Sequence, residues 1–297
     1  MKFIDFFAGI GGFHSGLTKA GMECVGWCEQ DKYAQQSYKA LYPTDNLWFS
    51  PDVRALNGTE MPYADLWAFG FPCQDVSIAG LKNGMGNTRS GLFYEVMRLL
   101  DETKHKPKWL LVENVKNLLS IDNGWGFYGV LSEMDKRGYN VFWRVYNTKD
   151  FGLPQNRERV FIIGHLGNGC TEDILCRPNQ SEQSIVRLGN LLKTESFGGN
   201  PQRGRVYSPD GLSPTVTCIK GGGQEPKILL DRNPNIIRKL TPREFWRLQG
   251  FTDSQFETCA KIQSNAQLYK QAGNSVSVPI VYELGKKIIE YHRRLHE

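Results

Sequence analysis

Pro72-Cys73-Gln74 joins a stiff turn to a thiol. Proline fixes its own φ and carries no N–H, so the side chain that follows can be aimed. Any single cysteine reads first as a small buried hydrophobe, and six of the seven here take that reading. Cys73 differs because it ends an apolar run, Ala64 to Phe69, that predicts a short buried strand. A free thiol is only a few per cent ionised at neutral pH, so a nucleophile there needs cationic help. No histidine among His14, His105, His165, His292 and His296 has an evident place beside it. Arg157 and Arg159 in Gln155-Asn156-Arg157-Glu158-Arg159 are the candidates, and spacing of two on a strand predicts that they face one side. Glu113 follows the apolar run Lys108 to Val112 and is the carboxyl candidate for the same crevice.

A second constellation lies at the N-terminus. Phe7-Ala8-Gly9-Ile10-Gly11-Gly12 sits between a predicted strand and a predicted helix. Its glycines let backbone approach a ligand at an open helix N-terminus, although the spacing is not that of the dinucleotide fingerprint. Glu29 ends the next predicted strand, about twenty residues on, where nucleotide folds place an acid on ribose hydroxyls. The pair predicts a ribose-bearing cofactor.

These residues need a scaffold. Strands predicted over 2–7, 23–28, 64–69, 108–112, 139–146 and 159–164 alternate with helices over 13–20, 31–41, 91–101 and 125–137. That alternation predicts an α/β fold, doubly wound around a mainly parallel sheet, with ligands beyond the carboxyl ends of the strands. Between about 165 and 241 helical periodicity is lost, and Gly, Asn, Ser, Pro and Arg dominate. A strand pair near Val206-Tyr207 and Pro214 to Thr217 is expected there. A final helix over 281–295, with Leu284, Ile288, Ile289 and Leu295 on one face, predicts a return to the sheet. The bounds drawn are a catalytic domain over 1–164 completed by 274–297, a small domain over 165–241 and a hinge over 242–273.

The chain has 297 residues, 40% hydrophobic, with a net charge of +5. Residues 1–164 hold 18 Lys+Arg against 18 Asp+Glu, whereas 165–297 hold 18 against 13. A neutral first part and a basic second part suit a catalytic body joined to a polyanion-facing region. No stretch approaches the ~18 apolar residues of a membrane span. Seven irregularly spaced cysteines point to reduced thiols in a cytosol, and no metal is expected.

Phe7 to Gly12, Pro72 to Gln74, Glu113-Asn114-Val115, Gln155 to Arg159, Arg238 to Glu244 and Gly273 to Val276 occur in the order and spacing of the cytosine-C5 DNA methyltransferases, which the chain resembles over nearly its full length. The resemblance implies a Rossmann-like sheet that uses S-adenosyl-L-methionine, with an inserted target-recognition domain. Phe7, Gly9, Gly11, Gly12 and Pro72 would bed the cofactor and Glu29 would hold its ribose. Asp52 and Val53 would meet the adenine, and Leu92, Asn274 and Val276 would close the pocket. Cys73 would attack C6 of a flipped cytosine, Glu113 would engage N3 and the amine, Arg159 would contact O2, and Arg157 would orient and charge-stabilise the site. The loop 80–90 would be a closing lid. Ser77, Gln202, Arg203, Arg205 and Thr215 match positions that touch DNA in relatives, and turn or hairpin roles are equally open for the last four. The implied partner is double-stranded DNA, with a restriction endonuclease in the same system, in a monomer located in the cytoplasm of a bacterial or phage-infected cell. Two alternatives stay open: a branch acting on transfer RNA, whose Cys-Phe-Thr element is not matched by Cys218-Ile219-Lys220, and a silent DNA-binding relative.

Overall fold

A computed structural model of the chain describes residues 1–72, 91–168, 172–192, 201–219, 223–232 and 235–295. Two compact units divide it. The first takes in Met1–Tyr146, Arg159–Arg177 and Ile280–Glu297, and the second Asn147–Glu158 and Pro178–Pro279.

The first unit is built on β1 (Lys2–Phe6), β2 (Glu23–Cys28), β3 (Trp48–Ser50), β4 (Leu66–Gly70), β5 (Trp109–Val115), β6 (Tyr139–Asn147) and β8 (Glu158–Leu166). Among the described residues they form a sheet in the order β3-β2-β1-β4-β5-β8-β6. From β3 to β5 every pairing is parallel, and β8 runs antiparallel to β5. Phe3, Ile4, Phe6, Leu66, Ala68, Phe69 and Leu110 to Val112 are fully buried, as expected of strands covered on both faces. Helices α1 (Gly12–Lys19), α2 (Lys32–Leu41), α3 (Leu92–Glu102) and α4 (Trp125–Asp135) join the strands. Strand order moves outward from β1 through β2 to β3, then resumes on the other side of β1 with β4. The topological switch point therefore lies between β1 and β4, where an open α/β sheet leaves a crevice beyond its strand ends.

Local chemistry explains the boundaries. Asp31 accepts hydrogen bonds from the Tyr33 and Ala34 N–H groups and so caps α2 instead of joining it. Pro43 forces Tyr42 into extended backbone (φ −130°, ψ 149°), which stops α2 at Leu41. The closing helix, α8 (Val278–Arg294), packs Leu284 and Ile288 inward. A Cβ on its Gly285 would lie 3.0 Å from the Ala20 Cβ and 3.2 Å from Leu17 Cδ2, so α8 lies directly against α1. Leu295, expected on that apolar face, is 40% exposed beyond the helix end. The short β3 carries too few residues to show alternation and was not expected.

In the second unit β9 (Arg187–Asn190), β10 (Arg205–Tyr207), β12 (Lys227–Arg232) and β13 (Asn235–Lys239) pair in the order β13-β12-β10-β9. The expected pairing of 206–207 with 214–217 does not form. Instead β11 (Ser213–Pro214) pairs with β7 (Gln155–Asn156). Side chains draw it there: Gln155 Oε1 accepts from the Val216 N–H at 2.9 Å, and the Thr215 hydroxyl donates to the Asn156 carbonyl at 2.7 Å. Residues 242–274 form α5 (Pro242–Gln249), α6 (Asp253–Ala260) and α7 (Asn265–Asn274). Capping boxes at Thr241/Glu244 and Thr252/Gln255 start the first two, and Gly250 (φ 90°) ends α5.

Candidate active site

The glycine turn follows β1 at the switch point. Phe7, Gly9 and Gly11 have φ of 53°, 56° and 79°. The left-handed region costs a non-glycine residue about 1–2 kcal/mol, so Phe7 is held there by its surroundings. The Ala8 N–H donates to the Cys28 carbonyl at 3.0 Å and the Gly11 N–H to the Ala8 carbonyl at 2.8 Å. A Cβ on Gly9 would meet nothing within 4 Å, so space opens above the turn. No side chain caps the N-terminus of α1, which begins at Gly12.

Glu29, half-buried just past β2, reaches this turn. Its Oε2 accepts the Gly9 N–H at 2.8 Å and its Oε1 accepts the Asp31 N–H at 2.7 Å. Burial pushes its carboxyl pKa up, and those N–H groups pull the other way. With the Gln30 N–H also bonded to this carboxylate, its roughly four lone-pair sites still leave room for a further donor. The Asp52 carboxylate turns back onto Arg54, accepting its N–H at 3.0 Å and its Nη2 at 2.7 Å, and that guanidinium lowers its pKa. Val53 is buried, Leu92 opens α3 against the core, and Pro72 is exposed.

Cys73, Ser77 and the loop 80–90 lie outside the described residues. What leads to Cys73 is described. The buried Asn114 donates its Nδ2 to the Phe71 carbonyl at 2.7 Å, tying the end of β5 to the turn that continues into Pro72. Glu113 stands opposite Gly70 in the β4–β5 register. A Cβ on Gly70 would lie 3.3 Å from Glu113 Oε2, so glycine keeps the carboxylate's seat clear. Arg159 stands opposite Val115 on β8 and reaches diagonally to Glu113, Nε to Oε1 at 3.1 Å, with both side chains 13% exposed. Sequence reasoning gave neither Gly70 nor Asn114 a role. A glycine ending a strand level with a carboxylate was the available sign for the first, and for Asn114 the sign was its place in the Glu113-Asn114-Val115 motif.

Other thiols contrast with this position. Burial pushes both Cys24 and Cys28 up to about 12, which suits packing and not nucleophilic attack. Among the described residues no group of three or more His, Cys, Asp and Glu side chains could hold a metal ion, and no helix is long and apolar enough to cross a membrane.

A profile of the C-5 cytosine-specific DNA methylases matches residues 1–194 and 179–290. The chain belongs to that family. The methylase is 33% identical to the type II methyltransferase M.NlaX of Neisseria lactamica, covering 97% of this chain and 96% of the relative. It is 32% identical to M.HhaI of Haemophilus parahaemolyticus, over 97% and 95%. The S. pombe Dnmt2 methyltransferase structure superposes with a TM-score of 0.78 at 18% identity, covering 98% of this chain and 99% of that one, a likeness of fold.

Within the second unit of the methylase, Arg157 lies in the gap between β7 and β8, so the reading that it shares a strand face with Arg159 does not hold. Its guanidinium is buried and donates to the carbonyls of Val216 (2.9 Å), Ser275 (2.8 Å) and Gly273 (3.3 Å). This gathers β7, the segment after β11 and the end of α7. Asn274, the last residue of α7, is exposed and Val276 is buried. Gln202 and Arg203 are exposed on a short turn, Arg205 opens β10 half-buried, and the Thr215 hydroxyl is committed to Asn156.

Proposed function

We propose that this methylase transfers a methyl group from S-adenosyl-L-methionine to C5 of a cytosine flipped out of a specific duplex DNA sequence, through a covalent bond between Cys73 Sγ and C6. The observation that carries the reading is the Glu113–Arg159 pair at the end of β5, level with Gly70, which stands two residues before Pro72 in the neighbouring strand's chain. A thiol following Pro72 and a guarded carboxylate would together suit addition to a ring whose nitrogen must be engaged.

The turn over Phe7 to Gly12 and the Glu29 carboxylate fit the cofactor: open space above Gly9, an uncapped α1 and a carboxylate with room for ribose hydroxyls. Val53, Leu92, Asn274 and Val276 would line the rest, with Asp52 turned toward Arg54 until adenine arrives. When bound, the cofactor supplies an electrophilic methyl on a sulfonium sulfur.

Flipping the base costs a few kcal/mol of unstacking. Cys73 then gives an electron pair to C6 while Glu113 holds N3 and the exocyclic amine, so the charge that leaves C6 gathers where a proton meets it. Arg159 fixes the Glu113 carboxyl and donates toward O2. C5 becomes enamine-like and takes the methyl group. Loss of the C5 proton to water and departure of Cys73 as thiolate restore the ring. Arg157, held by three carbonyls, serves by orienting the chain around Gln155 to Arg159. Gln202, Arg203, Arg205, Thr215 and Ser77 would meet the DNA. A companion restriction endonuclease, a monomeric state and a cytoplasmic location complete the proposal.

Incubation with methyl-labelled cofactor and either duplex DNA or transfer RNA tests it. Label is expected in the DNA and absent with Cys73→Ala. Label confined to RNA would favour the transfer-RNA alternative, and no label with either would favour the silent relative.

A further inference from the structure

Beneath the glycine turn lies a cluster of aromatic and polar side chains for which the mechanism has no use. His14, inside α1, stacks on Tyr42 with ring centroids 3.8 Å apart and planes 18° apart. The His14 Nδ1 lies 2.7 Å from the Tyr38 hydroxyl, and Tyr38 stacks on Trp27 at 4.2 Å. The Tyr42 hydroxyl stands 2.8 Å from the Gly11 carbonyl, 3.1 Å from the Ile10 carbonyl and 2.7 Å from the Ser15 hydroxyl. Two carbonyls can only accept, so they share the phenol's single proton, Gly11 at the shorter distance, and Ser15 donates to the phenol.

We propose that Tyr42 is a positioning residue for the cofactor, setting the two peptide planes of the turn on which the cofactor lies. A carbonyl and the following N–H point in opposite directions within one rigid peptide plane. Holding the Ile10 and Gly11 carbonyls from below therefore fixes where the N–H groups of Gly11 and Gly12 point. The Gly11 N–H closes the turn onto Ala8, and that of Gly12 is directed away from Tyr42, at the uncapped end of α1. The fit is close on both sides. A Cβ on Gly11 would lie 2.3 Å from Tyr42 Cε2, so glycine is required there for its space as well as for its φ of 79°. Tyr42 in turn is held by extended backbone before Pro43 and by the His14 stack. The ring thus reaches the turn from the end of α2 without touching the space above it.

The proposal rests on the reading that the cofactor lies over this turn, and the test separates the two. Tyr42→Phe keeps the ring and removes the hydroxyl. Calorimetric titration of the variant with S-adenosylhomocysteine, the demethylated cofactor, should show a Kd raised by roughly tenfold, the scale of one or two net hydrogen bonds. The KM for the methyl donor should rise in parallel. The kcat at saturation and the KM for DNA should stay within about twofold of wild type, a split that a general loss of stability does not produce. Glu29→Gln is the companion variant. Weakened binding in Glu29→Gln with unchanged Kd in Tyr42→Phe overturns the role of Tyr42 alone. Unchanged Kd in both overturns the placement of the cofactor itself.

Discussion

Replacing Gly70 with alanine should slow methyl transfer without weakening the fold. Gly70 ends β4 level with Glu113, and an alanine Cβ there would sit 3.3 Å from Glu113 Oε2, with the Glu113 carbonyl oxygen next at 3.7 Å and Phe13 Cε2 at 4.0 Å. The φ of Gly70 lies outside the left-handed region, so alanine meets no backbone strain, and its lower unfolded-state freedom favours folding by about 0.5–1 kcal/mol. The crowding falls on the carboxylate, which must yield by a few tenths of an ångström. Its bond to Arg159 Nε is already 3.1 Å long, so the shift loosens the pair that, in the proposed mechanism, orients Glu113 toward N3. Misplacement by 1 Å costs on the order of 10²-fold in rate. A third to a half of that shift corresponds to roughly tenfold in kcat, or about 1.4 kcal/mol on the barrier. Single-turnover transfer of labelled methyl to duplex DNA, with both substrates saturating, reads this directly. Thermal melting and S-adenosylhomocysteine binding should stay at wild-type values. A variant that keeps kcat within twofold, with fold and binding intact, would refute the claim that the Gly70 gap seats Glu113 for catalysis.

Asn114→Ala should leave the Phe71 carbonyl, which accepts at 2.7 Å from that buried side chain, without its donor, at a cost of about 1–3 kcal/mol. A melting point lower by several degrees and a lower kcat are expected, with cofactor binding near normal, measured by calorimetry and initial rates. His14 tests the cluster under the turn by pH. Burial lowers its pKa from 6.5 to about 4, so the folded state refuses a proton that the unfolded chain accepts below pH 6.5. The resulting loss of stability is absent above pH 6.5 and grows from there down to about 4, reaching about 2 kcal/mol at pH 5. Asp5, fully buried below the turn with its carboxyl pushed well up, works in the opposite sense as pH falls, and it does so equally in wild type and variant. His14→Gln should therefore lose less stability than wild type between pH 7 and 5, and parallel curves from denaturant titration would contradict this.

The sheet was legible because its strands are buried on both faces and so read as unbroken apolar runs, as in Lys108 to Val112 and Arg159 to Gly164. Glu29 and Glu113 were legible because each is the first charge after such a run, and strand ends are where this fold gathers ligands. The segment 205–217 was misread because the pairing of Ser213–Pro214 depends on Gln155, some 58 residues earlier, and no local pattern carries that. Arg157 defeated a periodicity argument for a similar reason. One residue outside the ladder suffices to release its side chain from the strand's alternation, and its destination, three carbonyls far along the chain, has no sequence signature. Tyr42 could be placed at the end of α2 from Pro43, but the turn it supports lies about thirty residues earlier.

The central claim is the covalent bond from Cys73, and intact-mass measurement on a trapped complex tests it most directly. Duplex DNA with fluorine in place of hydrogen at cytosine C5 cannot release a proton there, so the thiol cannot depart after methyl transfer. With the cofactor present, wild-type protein should give a denaturant-stable species carrying one DNA strand plus one methyl group, with the strand mapped by peptide analysis to Cys73. Cys73→Ala should give none. A denaturant-stable complex that survives in Cys73→Ala, or its absence in a wild-type protein that methylates ordinary DNA, would contradict the mechanism.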